Sequence, residues 1–170
     1  MKSRFASFAV TLVLMCSLTT LLAGQAAVSQ VRGPIWITVH TIAAPLQSIT
    51  VKAPAKGNII VTVTGSFNYD HTQGTQGDYC LALSQTSGNV GGCIPNAGSD
   101  SAVRNYVASD FPTTVPAFGM LEQYSIVRTY PVTAGTTYTF YLNGYAGGFT
   151  AAYLFQPSIT ALYVPGTLAP

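Results

Sequence analysis

The sequence predicts an antiparallel β-sandwich of about eight to ten strands behind an N-terminal export signal. Three observations predict it. Residues 58–70 (NIIVTVTGSFNYD) place Ile59, Val61, Val63, Gly65, Phe67 and Tyr69 on one parity, and Ile60, Thr62, Thr64, Ser66, Asn68 and Asp70 on the other. Successive strand side chains point to opposite faces, so this is a long, half-buried strand of the kind that sits centrally in a sheet. Residues 136–143 repeat the pattern, with Tyr138, Phe140 and Leu142 set against Thr137, Thr139, Tyr141 and Asn143. Past residue 27 no stretch carries a 3.6-residue period, while Gly and Pro punctuate the chain at short intervals, as in a sandwich or barrel. The absence of a fixed repeat argues against a solenoid or propeller.

Residues 1–27 have the layout of a secretory signal peptide. Lys2 and Arg4 form the basic start, residues 8–23 carry no charge, and Gly24, Ala26 and Ala27 supply small residues for cleavage after Ala26 or Ala27. The alternative is a retained membrane anchor, which Thr11, Ser17, Thr19 and Thr20 disfavour. Cys16 lies inside the apolar run after Met15, which is the wrong place for a lipoprotein cysteine. Residues 28–170 then form a single domain, secreted or periplasmic, with no membrane contact after cleavage.

That domain keeps Arg32, Lys52, Lys56, Arg104 and Arg128 against Asp70, Asp78, Asp100, Asp110 and Glu122. Its charge is near zero, which leaves no footprint for nucleic acid or anionic lipid. Thr, Ser, Gln, Asn and Tyr must cover the outside, as suits an extracellular protein or a subunit that hides surface against its own copies. Cys80 and Cys93 are the two cysteines beyond the signal. In an oxidising compartment an even pair reads as a disulfide, here across a Gly-rich loop, contributing about 3 kcal/mol in the chain-entropy treatment.

In chain order, residues 34–41 alternate Ile35, Ile37 and Val39 against Trp36, Thr38 and His40, and Ala43-Ala44-Pro45 breaks this first strand. Residues 48–53 form a short second strand, and Pro54 to Gly57 a turn before the long one. After the polar connection 71–77, residues 78–85 make a strand with Tyr79, Leu81 and Leu83 on one side and Cys80 on the other. Residues 86–101 are the longest loop, a length that marks function or mobility. Residues 102–109 read as an edge strand, and Pro112 and Pro116 keep 111–120 out of any central strand. Strands follow at 121–130 and 136–143, then a Gly-rich loop at 144–148, then two last strands at 150–156 and 158–164 split by Pro157.

Three pieces carry a family resemblance: APAKGNIIVTVTGSF (53–67), YSIVRTYPVTAGTTYTFYLNG (124–144) and SITALYVP (158–165). Their order resembles the jelly-roll domains related to C1q and tumour necrosis factor, in the form found on bacterial and phage surfaces. The resemblance implies a jelly roll, a trimer with aromatic side chains at its threefold axis, and no catalytic residues. The chain departs from the family in lacking a collagen-like stalk.

Chemistry has few candidates. There is no G-x-S-x-G elbow, no H-E-x-x-H and no phosphate-binding loop. His71 lies near Asp70 and Asp78, from which a triad can be drawn on paper, but sequence proximity is not triad geometry. Asp70, His71 and Asp78 also bracket a polar Gly loop and are the weak candidate for a Ca²⁺ site, against a solvated turn. Glu122 shares a parity with Tyr124 and Tyr130 and reads as a surface or interface ion pair with Arg128. The ten tyrosines and Trp36 are too many for one core, and Trp36, Tyr141 and Tyr145 are the candidates for a ligand or oligomer contact. The expectation is a non-catalytic exported module without cofactor, a homo-oligomer presenting its loops, open to a surface glycan or protein partner. The alternative is a secreted monomeric carbohydrate-binding domain that uses exposed Tyr and Trp.

Overall fold

The computed structural model describes residues 28–93, 102–114 and 119–166; the expected signal peptide lies outside them. The strands are β1 (Val28–Arg32), β2 (Trp36–Thr38), β3 (Ala44–Lys52), β4 (Gly57–Asp70), β5 (Gly77–Ser84), β6 (Ala102–Val107), β7 (Met120–Val132), β8 (Thr137–Gly147) and β9 (Ala151–Pro165). A 3-10 turn, Gly91–Cys93, follows β5. Every pairing is antiparallel. Sheet I runs β1-β9-β4-β7 with β2 also on β9, and sheet II runs β3-β8-β5-β6.

The pairings are nested. The outermost strands, β1 and β2, pair with β9; then β3 pairs with β8, β4 with β7, and β5 with β6. A chain doubled into one long hairpin and then rolled across two sheets gives this order, which is the jelly roll. β9 then closes onto β4 from Gly57↔Pro165 to Asp70↔Ala151, and β8 onto β5. The inward parity of the long strand is as its pattern requires: Ile59, Val61, Val63 and Phe67 are fully buried. They meet Leu81, Leu83, Phe140 and Leu142 from sheet II in one core. Phe67 stacks on Tyr79 with ring centroids 3.8 Å apart. Each such side chain contributes roughly 1.5–3 kcal/mol by leaving water. Tyr69, Tyr79, Tyr124, Tyr130 and Tyr163 are buried too, so half of the tyrosines belong to the core.

Several boundaries differ from the sequence expectation. β1 was not anticipated, and the expected strand at 34–41 is only three residues long, with Ile35 61% exposed. β3 begins at Ala44 and runs through Pro45, because it is an edge strand and its register shifts between Pro45 and Gln47. Residues 144–147 are strand rather than loop. Gly144 sits where a Cβ would lie 2.7 Å from Leu46 and 2.8 Å from Leu81, so the absence of a side chain serves strand packing there. The chain reverses instead at Gly148, whose φ is +73°. The two expected last strands are one: Gln156 takes φ 47°, and the register with β4 shifts between Thr64 and Ser66. Pro157 is thus absorbed in a bulge, where a missing N–H costs no ladder bond.

Candidate functional site

Trp36 projects from the outer face of sheet I, 52% exposed. The register sets it beside Phe155, and Thr38 beside Tyr153. Its ring lies 4.6 Å from Phe155 and 6.0 Å, edge-on, from Tyr153. Asn68 pairs with Tyr153 across β4 and β9 and stands on the same face. Trp36, Asn68, Asp70 and Tyr153 line a shallow depression of about 570 Å³. Asp70 Oδ1 is buried without a hydrogen-bond partner among the described residues.

Tyr141 and Tyr145 lie on β8 in sheet II, so the structure does not bring them together with Trp36. The Tyr145 hydroxyl donates to Asp78 Oδ2 at 3.1 Å. Arg104 donates to the same oxygen at 3.0 Å and to the Cys93 carbonyl at 3.0 Å, and lies 4.5 Å over the Tyr106 ring. Burial, then the Asp78 carboxylate, raises the Tyr145 phenol above its ordinary range. This network rests against the Cys80–Cys93 disulfide, which the structure contains.

Asp70, His71 and Asp78 do not converge. Asp70 faces the Trp36 depression, and Asp78 is held by Arg104 and Tyr145. His71 is buried, with Nε2 2.8 Å from the Thr75 carbonyl and Nδ1 3.4 Å from the Pro112 carbonyl. Its N–H donates to Thr114 Oγ1 at 2.9 Å, and its carbonyl accepts from the Thr114 N–H at 2.9 Å. Whichever ring nitrogen carries the proton, its N–H donates to a backbone carbonyl, so the imidazole ties together the connections on either side of it. Among the described residues no three His, Cys, Asp or Glu side chains gather as a metal site.

Glu122 corrects the ion-pair expectation. Arg128 is six residues along the same strand, about 20 Å away. The carboxylate instead accepts from Tyr79 (2.6 Å), Tyr69 (3.0 Å) and Asn105 (2.9 Å), gathering β4, β5, β6 and β7 at one end of the sandwich. Burial, then the Glu122 bond, pushes both phenols well above their usual range. Asn143 is the other residue that sequence reasoning missed. Its outward parity is as expected, yet it is fully buried. Its Oδ1 accepts from the Gly88 N–H at 2.8 Å, and its Nδ2 donates to the Thr86 and Asn89 carbonyls, each at 3.0 Å. The segment after β5 is therefore strapped over sheet II by Asn143 and by the disulfide. The cysteine pair was the one available signal for this fold-back.

The rest of the outer face of sheet I is poor in charge. On β4, β7 and β9 it carries one charged side chain, Asp70, among Thr, Ser, Asn and Gln, and β1 adds Arg32 opposite Ser158. At the end away from Asp70, Ile60 pairs with Leu162, and Thr62 with Val127, which is 52% exposed.

No protein-family model matches this sequence, and no curated protein matches it. Among solved structures the chain is similar to the VP2 subviral particle of infectious bursal disease virus, at 13% identity and TM-score 0.44, over 84% of this chain and 34% of that one. It thus spans about a third of the VP2 protein. It is also similar to Eiger TNF from S. frugiperda, at 12% identity and TM-score 0.33, over 86% and 96% of the two chains. A third similarity is to the mosquito-larvicidal Cry4Aa toxin of Bacillus thuringiensis, at 7% identity and TM-score 0.36, over 82% and 24%. Likenesses of this size carry no functional argument; the jelly-roll assignment rests on the strand pairings.

Proposed function

We propose that this chain is an exported, non-catalytic interaction module that self-associates as a trimer and presents its loops for binding. The observation that supports it is the outer face of sheet I around Ile60, Leu162 and Val127, where three aliphatic side chains lie among threonines with no charged side chain beside them on β4, β7 and β9. Two copies of such a face meet without like-charge repulsion and without stranding a buried charge. Val127 is exposed and Ile60 and Leu162 are half-buried, and apolar side chains gathered on one face and rimmed by hydroxyls mark protein contact. The count of three comes from the resemblance of residues 53–67, 124–144 and 158–165 to C1q and tumour-necrosis-factor domains.

Light scattering on a sizing column tests this. The protein without residues 1–27 is expected near three subunit masses. Val127→Glu, which places a charge at a half-exposed position, is expected to elute as a folded monomer. A monomeric parent protein at high concentration refutes self-association, and an unchanged mass for Val127→Glu refutes this face as the interface.

A further inference from the structure

We infer that the depression lined by Trp36, Tyr153, Asn68 and Asp70 is a binding site for a neutral carbohydrate. It lies at the opposite end of sheet I from the patch assigned to self-association. Asp70 is ten residues from Ile60 along β4, about 33 Å. The two assignments are therefore independent.

Three features favour a sugar. A pyranose offers an apolar C–H face and a rim of hydroxyls, so it needs one flat ring and a few donors and acceptors beside it. Trp36 supplies the ring: half exposed, and flanked by the tilted ring of Phe155 and the edge-on ring of Tyr153, which limit its rotamers without a ligand. Preorganisation of this kind removes the ordering cost of binding. Asn68 supplies a donor and an acceptor, and Asp70 places a carboxylate in the wall. A carboxylate so placed gains from hydroxyl donors. Among the described residues no Lys or Arg lines the depression, which disfavours phosphorylated or sulfated sugars, and Asp70 disfavours uronates. The volume, about 570 Å³, suits one or two sugar rings.

Trp36 is the single tryptophan of the chain, so tryptophan emission, excited beyond the tyrosine absorption band, reports on this site alone. The probes are cellobiose, N,N′-diacetylchitobiose, maltose and lactose, titrated into the protein without residues 1–27. At least one is expected to shift Trp36 emission saturably, with half-saturation in the millimolar range typical of a small shallow site. Asp70→Ala and Tyr153→Ala are each expected to weaken that response by roughly tenfold with the far-ultraviolet circular dichroism unchanged. Val127→Glu should leave it intact, which separates this site from the oligomer contact. Emission unmoved by every probe overturns the inference. So does a response that survives both substitutions. A Trp36 emission that shifts with protein concentration alone also overturns it, because a second copy then covers the ring.

Discussion

Replacing Asn143 with Ala tests whether the segment after β5 is one strapped unit. The side chain makes three hydrogen bonds to that segment, from Gly88 N–H at 2.8 Å and to the Thr86 and Asn89 carbonyls at 3.0 Å. At about 1 kcal/mol each, their loss costs about 3 kcal/mol. Removing the disulfide with Cys80→Ser and Cys93→Ser, thirteen residues apart, costs about 3 kcal/mol as well. If both fastenings hold the same segment, the two losses do not add. With the disulfide gone, Asn143→Ala releases the segment, which regains conformational freedom and hydrates its own peptide groups. The triple variant is then expected to lose about 5 kcal/mol rather than 6, an interaction of roughly 1 kcal/mol. Urea unfolding at fixed protein concentration measures all three variants, and fixing the concentration keeps subunit association from entering the comparison. Additivity within about 0.5 kcal/mol refutes the shared strap. A cost below about 1 kcal/mol for Asn143→Ala alone refutes the three bonds as fastenings.

Other consequences are testable with the same assay. Glu122→Gln replaces one acceptor oxygen with an N–H that must face either Tyr69 or the pair Tyr79 and Asn105; a loss of about 2 kcal/mol is expected, and Glu122→Ala should cost no less. Phe67→Ala removes a fully buried ring stacked on Tyr79 and is expected to cost about 3–5 kcal/mol, read as a lower urea midpoint at unchanged m-value. Burial pushes the Tyr130 phenol up to about 12 from 10, and Tyr69, Tyr79 and Tyr124 are raised as well. The folded state thus holds these protons more tightly than the unfolded chain. The urea midpoint should be insensitive to these groups below pH 10 and fall as pH rises towards 12. Gly148 and Gly135 both have positive φ, but a Cβ at Gly148 collides with the Gln76 carbonyl while one at Gly135 meets open space. Gly135→Ala should cost about 1 kcal/mol, and Gly148→Ala distinctly more.

The strands that could be found from sequence are those with contrasting faces. β4 has aliphatic residues on the core side and hydroxyls outside, so its span was legible to within a residue. β1 has no such contrast: it touches the sheet along one edge, and its residues do not declare a buried face. Gly144 and Pro157 look like chain breaks in isolation. Each is strand because of a distant neighbour, Leu81 against Gly144 and the bulge opposite Thr64 and Ser66 at Pro157. Site residues follow the same rule. Parity correctly turned Trp36 and Tyr141 outward, but only the sheet order shows that they leave from opposite sheets. Parity set Glu122 beside Tyr124 and Tyr130 but left it as a surface or interface ion pair, because its partners on β4, β5 and β6 depend on how the sheets stack. Tyr153, Asn68 and Asp70 reach Trp36 through the registers of β2 and β4 with β9, which no local pattern encodes.

The place of β9 has a consequence for how the molecule comes into being. β1 and β2 have β9 as their sheet partner, and β9 also fills the position beside β4. A chain delivered amino end first, from a ribosome or through a translocation pore, therefore holds its earliest strands unpaired until its latest described strand arrives. Non-local pairing of this kind is slow, and β4 presents a long unpaired edge in the interval. Until then that open edge is a template for aggregation. The order of delivery then sets the moment at which the closed sandwich first exists.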